Sequence, residues 1–328
     1  RLNMTKIIID GLGADLGSAM VCDALKIALK QRKFEAVVVG PEKIFKDALS
    51  EYKEQLEFID TEEYVTNEES PVFAIRKKKN SSIVLGLNRL NEDDADVILS
   101  AGALLAGGYF ITKRLQGFER ACLAVIVPNP EGGTVLLDCG ATMDTTPEIL
   151  CQFAILGNAY AKYTLHRDNP RIGLLNVGLE EGKGDRRTST TYQLLKEMPV
   201  NFIGNVEARS ILEAHCDVIV ADGYSGNIAL KSIEGTAKTV LSALKKGILS
   251  GIKTKIGGLL LKSVFKDVLK DYNYKAYGGA PLLGIKKPLY KAHGNSSAET
   301  FALAINEALD FAESGMLQKV SENAEREI

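Results

Sequence analysis

Six glycine-rich turns in this chain each follow an apolar run: Asp10 to Asp15, Ser100 to Gly102, Asp138 to Gly140, Asn176 to Gly178, Gly204 with Asn205, and Asp222 to Asn227. The runs include Ile7 to Ile9, Val97 to Leu99, Val135 to Leu137, Ile172 to Leu175 and Val218 to Val220. They are apolar at consecutive rather than alternate positions, which is the pattern of strands buried on both faces of a parallel sheet. In such sheets ligands sit beyond the carboxyl ends of the strands, where glycine lets backbone N–H groups approach an anion. The pattern therefore predicts an α/β fold with a mostly parallel sheet and a phosphate-sized cleft.

Helical segments alternate with these strands. Periodicity predicts helices from about Ala19 to Lys30, Glu42 to Tyr52, Val72 to Lys79, Ser81 to Leu90, Gly107 to Leu115, Pro147 to Tyr163, Thr188 to Lys196 and Glu299 to Ala312. Further strands are expected at Glu35 to Val39, Leu123 to Val127, Thr134 to Asp138 and Asn201 to Ile203, with Asn129 to Gly133 forming a hairpin-like connection. No linker or repeat divides the chain, so residues 1–328 are expected to form one α/β catalytic domain. One segment stands apart. Residues 236–270 carry apolar side chains at helical spacing with eight lysines against the single acid Asp267, a basic amphipathic excursion. Its readings are a solvated face over a dimer contact, or a docking surface for an acidic partner or an anionic bilayer.

A formal net charge of -2 gives no general attraction to nucleic acid, and no apolar run reaches the roughly 18 residues that span a bilayer. Cys22, Cys122, Cys139, Cys151 and Cys216 are scattered singly within or beside apolar segments, so buried thiols in a reducing cytoplasm are expected. The first strand follows closely on Arg1, without a signal-peptide pattern.

The chemistry narrows by elimination. Asp10 to Gly13 begins like a dinucleotide fingerprint, but Leu16 occupies the place of its third glycine. P-loop, nucleophile-elbow and zincin motifs are missing from the sequence, as is any cluster with metal-ligand spacing, so no cofactor and no metal are expected. Of three histidines, His166 and His215 lack convergent polar neighbours. His293 differs: Lys291 to Ser297 combine a cation, an imidazole, a glycine and two hydroxyls just before a helix. A helix N-terminus with such donors can hold an oxyanion or a phosphate, whereas a plain cap accounts for Ser296 or Ser297 only.

The sequence resembles the bacterial phosphate acyltransferases of the PlsX type. The resemblance rests on Ala74 to Lys78 with Asn80 to Ser82, Gly173 to Gly178, Asn201 to Arg209, Asp222 to Asn227, Tyr277 to Gly279 and Lys291 to Gly294, in order along nearly the whole chain. It implies a three-layer α/β/α sandwich like isocitrate and isopropylmalate dehydrogenases and phosphotransacetylases, a homodimer, and peripheral attachment at the inner face of the cell membrane. It also implies transfer of an acyl group from acyl-acyl carrier protein to inorganic phosphate for phospholipid synthesis. The chain departs from the family pattern in places. Gly11, Leu12 and Ala14 alter the first turn, Leu179 and Thr142 replace a usual threonine and asparagine, and Ala103 directly follows Gly102 as if Asn-Thr-Gly had been removed.

For direct attack of phosphate on a thioester, the residues expected to act are His293, Asp222, Asn227 and Lys183. Gly294, Asn295, Ser296, Ser100 and Gly102 are expected to contact phosphate or the oxyanion. Asp10, Asp15, Arg76, Lys77, Lys78, Lys245, Lys246, Lys253 and Lys255 are the candidate substrate or partner contacts. Lys183 reads equally as an exposed loop lysine, and Arg76 to Lys78 as a solvated helix face. The alternatives are a phosphotransacetylase-like enzyme using acyl-CoA and a non-catalytic regulatory paralogue.

Overall fold

The computed structural model describes residues 4–66, 69–102, 108, 111–272 and 277–327. Its first part contains β1 (Lys6–Asp10), α1 (Gly17–Gln31), β2 (Glu35–Gly40), α2 (Glu42–Ala48), β3 (Leu56–Asp60), α3 (Pro71–Lys77), α4 (Ser82–Asn91), β4 (Val97–Ser100) and β5 (Cys122–Leu123). Next come β6 (Val125–Val127), β7 (Thr134–Leu137), α5 (Pro147–Tyr163), β8 (Ile172–Asn176), α6 (Arg186–Glu197), β9 (Phe202–Glu207) and β10 (Val218–Val220). The chain closes with α7 (Gly223–Leu249), α8 (Ile252–Leu260), α9 (Lys262–Asp271), β11 (Gly279–Leu283), β12 (Leu289–Ala292), α10 (Ala298–Glu313) and α11 (Met316–Glu327).

Two sheets form, in the orders β3-β2-β1-β4-β12-β11-β5 and β6-β7-β10-β8-β9. Both are mostly parallel, with antiparallel pairs only where β11 meets β12 and β5 and where β6 meets β7 among the described residues. Strand β1 shows why consecutive apolar residues are needed. Ile7 and Ile9 join the core cluster that includes residues of α1 and α10, whereas Ile8 joins the one that includes Val84 and Leu87 of α4, and all three are fully buried. All five cysteines are likewise buried and free.

Several expectations need correction. The run Leu123 to Val127 is not one strand: β5 ends the seven-stranded sheet and β6 begins the five-stranded one, with Ala124 at the junction. Gly204 does not end a strand. It sits inside β9 at φ +104°, where the register with β8 shifts and one extra residue is accommodated as a bulge. The expected helix from Glu42 to Tyr52 stops at Ala48 and gives way to a 3-10 turn at Ser50–Tyr52. The basic excursion is not a separate element either, because α7 runs unbroken from Gly223 through Leu249 and only α8 and α9 lie wholly within residues 236–270, apart from Asp271 at the end of α9. The Gly102–Ala103 junction falls outside the described residues, as do Gly107, Tyr109 and Phe110 of the expected helix from Gly107 to Leu115. Of the rest, Gly108 and Ile111 are helical, but the helix does not reach Leu115, because Arg114 already pairs with Ile285 in an isolated antiparallel bridge.

Candidate active site

Three turns converge at the carboxyl ends of β1, β4 and β12, which are neighbours in the larger sheet. Buried Ser100 donates its hydroxyl to Asp10 Oδ2 at 2.6 Å and accepts the Gly102 N–H at 3.0 Å. Asp10 Oδ1 also takes the Leu12 N–H at 3.2 Å, so Ser100 and Asp10 brace two turns against each other. The Gly102 carbonyl accepts Lys291 Nζ at 2.8 Å, and the Gly294 carbonyl accepts the Asp15 N–H at 2.8 Å. A Cβ on Gly294 would lie 2.7 Å from Asp15 Oδ2, so a larger residue there would displace the Asp15 carboxylate. Burial lowers the Lys291 pKa, opposed by the charges of Asp10 and Asp15. A cation thus stands at this convergence with a backbone carbonyl and two nearby carboxylates for company.

Downstream, Ser297 caps α10 by accepting the Thr300 N–H, so the capping role belongs to Ser297 and not to Ser296. Ser296 is buried, and its hydroxyl has no hydrogen-bond partner among the described residues. A buried hydroxyl without a partner is costly to keep, and here it lies at the N-terminus of a 16-residue helix, where the backbone favours an anion. His293 and Asn295 reach solvent. Enclosure lowers the His293 pKa, with Glu234 opposing and Lys231 and Lys291 adding to the effect, which favours a neutral imidazole near pH 7.

His293 and Lys291 open onto a cavity of about 320 Å³ between the two sheets, walled chiefly by apolar groups such as Val125, Leu230 and Ala280. Helix α7 supplies Asn227, Lys231 and Glu234 to the same cavity at i, i+4 and i+7 spacing, one stripe of its surface. Asp222 lies elsewhere. It is the N-cap of α7, accepting the Ser225 N–H at 2.9 Å, and it pairs with Arg187 at 2.8 Å in a separate groove of about 870 Å³. The structure therefore gives Asp222 the role of fixing the start of α7 rather than facing His293. Lys183 is exposed on the loop before α6, where its carbonyl accepts Asn176 Nδ2 at 3.0 Å.

Other expected partner contacts scatter. Lys78 is tied to Glu69 at 2.7 Å and to the Tyr64 carbonyl at 2.8 Å, while Lys77 stacks over Phe73 at 4.3 Å and Arg76 is exposed. Lys245 and Lys246 on α7 and Lys253 and Lys255 on α8 are all exposed.

Two supporting carboxylates escape sequence reasoning. Asp138, at the end of β7, gathers the N–H groups of Leu123, Gly140, Ala141 and Thr142 at 2.5 to 3.1 Å. Burial nonetheless raises its pKa to about 6. The turn it holds is the seat of α7: Asn227 lies against Gly140, and any Cβ on Gly226 would collide with the Asp138 carbonyl. Glu307 on α10 accepts the N–H groups of Gly278 and Gly279 at 2.9 and 3.2 Å and the Tyr290 hydroxyl at 3.0 Å, and burial pushes its pKa up to about 7. Next in line, Tyr277 walls the cavity and donates to the Gly132 carbonyl at 2.8 Å, linking the Tyr277 to Gly279 segment to the hairpin of the second sheet. The signal for Asp138 was its place at the end of an apolar run; for Glu307 the sequence carried none.

Fold and site together define an α/β protein with an anion-competent turn cluster opening onto an apolar cavity. The chain belongs to the family described as fatty acid synthesis protein, whose family model matches residues 5–319. It is 42% identical over 330 residues to a phosphate acyltransferase of Clostridium novyi (strain NT), covering 98% of this chain and 99% of that one. A phosphate acyltransferase of Clostridioides difficile (strain 630) is 40% identical over 324 residues, covering 97% and 95%. In fold the chain is similar to a phosphotransacetylase from Streptococcus pyogenes, with a TM-score of 0.62 at 16% identity and 94% of each chain covered. The EutD phosphotransacetylase from Staphylococcus aureus gives 0.59 at 14%, covering 95% of this chain and 94% of that one.

Proposed function

We propose that this chain transfers a fatty acyl group from acyl-acyl carrier protein to inorganic phosphate, giving acyl phosphate and free carrier protein. The observation that carries the reading is the juxtaposition of Lys291, His293 and the unpartnered Ser296 hydroxyl at the N-terminus of α10, beside an apolar cavity. Phosphate binds to Lys291, Ser296 and the amides at the Gly294 and Asn295 turn, which neutralise and orient it. One phosphate oxygen forms the new bond to the thioester carbon. The tetrahedral oxyanion is held by His293 and Asn227, the C–S bond breaks, and the thiolate leaves and takes a proton from solvent. A thiol of pKa about 8.5 leaves readily, so no strong general acid is required. Ser100, Gly102, Asp10 and Asp15 hold the turns in register, Asp222 fixes α7, and Lys183 lends positive charge from the exposed loop before α6.

Acyl carrier protein rather than CoA is the proposed donor, with the exposed lysines of α7 and α8 attracting its acidic surface or an anionic bilayer surface. The chain is proposed to act as a homodimer in the cytoplasm. Among the described residues no helix is long and apolar enough to cross a membrane. The test is to offer acyl-acyl carrier protein and acyl-CoA with labelled inorganic phosphate: acyl phosphate forms faster from the carrier-bound substrate. Preference for acyl-CoA would make the enzyme phosphotransacetylase-like, and ligand binding without turnover would support the regulatory paralogue.

A further inference from the structure

Helix α7 is a partition. One stripe walls the cavity that holds His293, and the opposite stripe walls the larger groove that begins at Asp222 and Arg187. Three residues, Leu212 of the 3-10 turn Ala208–Glu213 and Ile233 and Ala237 of α7, line both spaces. The cavity measures about 320 Å³ and the groove about 870 Å³. The cavity has little more than a third of the groove's room, so the longer an alkyl chain is, the more of it must lie outside the cavity. Beyond the partition the groove leaves Tyr224, Ile228 and Val240 exposed by 63%, 50% and 58%, an apolar surface in want of an occupant.

Resting on the acyl-transfer reading, we propose that Leu212, Ile233 and Ala237 form a length-discriminating sill in a two-part acyl site. The cavity takes the carbons next to the thioester, and the groove receives the remainder of a long chain after it crosses the sill. The residues shared with the His293 cavity select the occupant: an alkyl chain is the part of the substrate that apolar walls accommodate, and the end of it that reacts must lie at His293. Short chains stay within the cavity and do not cross the sill. Ala237 is the smallest of the three and therefore sets the clearance.

The experiment compares wild type with Ala237→Phe on octanoyl- and hexadecanoyl-acyl carrier protein at saturating phosphate. Because Ala237 lines the cavity as well, both substrates are expected to slow, but kcat/KM for the hexadecanoyl substrate falls at least tenfold further than for the octanoyl one; Ile233→Ala, which removes bulk from the sill, keeps or raises the long-chain rate. Equal loss on both substrates, or no change on either, overturns the sill. Calorimetric binding of octyl phosphate and hexadecyl phosphate reads the same discrimination without turnover, so it stands even if the acyl-transfer reading fails for wild type with every chain length. If Ala237→Phe instead changes the oligomeric state and leaves the octyl to hexadecyl affinity ratio unaltered, the groove is a contact between copies and the proposal falls.

Discussion

At the residue scale the site depends on a few polar groups held against burial. Replacing His293 with Ala removes a donor to the developing oxyanion and should lower kcat on the order of 10²-fold at unchanged thermal stability, measured by steady-state turnover and melting. Wild-type kinetics in His293→Ala would reduce the segment to a helix cap. Glu307 answers to a different measurement. Its pKa is raised from an ordinary 4.5 to about 7, so between those values the folded chain binds a proton that the unfolded chain releases. The stability this group contributes is complete below pH 4.5 and is lost as pH rises through 7. Glu307→Gln should therefore flatten the decline in melting temperature between pH 5 and pH 8, leaving the smaller decline due to Asp138, whose pKa is about 6. Parallel pH profiles for variant and wild type would contradict the assignment. His293 and Lys291 were legible in the sequence because they crowd into one short polar stretch. Glu307 was not, since its partners Gly278 and Gly279 lie 29 and 28 residues away.

Among the elements, α7 connects fold to site. Its first turn holds Gly223 and Gly226, which in the sequence read as a loop; the structure shows them as the small residues that let a helix sit directly on the turn held by Asp138. Gly226→Ala should then destabilise the chain by about 1–3 kcal/mol through overpacking, read from chemical denaturation, in contrast to the small gain that Ala brings at an unhindered helix position. The lysines farther along α7 and α8 are a question of partners. Changing Lys245, Lys246, Lys253 and Lys255 to Gln should raise the KM for the carrier substrate, or release the protein from anionic vesicles, without altering the phosphate KM, and should remove much of the salt dependence. Unchanged binding to both partners would leave the lysines as a solvated face. Of the strands, those buried on both sides were legible from consecutive apolar residues. Strand β3 was not, because it is a half-exposed edge in which Glu57 and Asp60 interrupt the apolar run; β11 was hidden by its glycine and proline, and β12, only four residues long, by Lys291 within it.

Over the whole molecule, the α/β class and the cleft at the strand ends followed from the order of runs and turns. The division into two sheets did not, because Leu123 to Val127 is apolar throughout and only pairing partners tell β5 from β6. That division makes the cavity, since the two sheets, α7 and Tyr277 enclose it together. The central claim is that phosphate bound by the turn cluster attacks the thioester directly, with no acyl-enzyme. It is tested most directly by rapid quench of protein mixed with a stoichiometric amount of acyl-acyl carrier protein, with and without inorganic phosphate. Direct attack predicts that free carrier protein appears only when phosphate is present, one acyl phosphate for each carrier released. A burst of free carrier protein equal to the protein concentration in the absence of phosphate would contradict it.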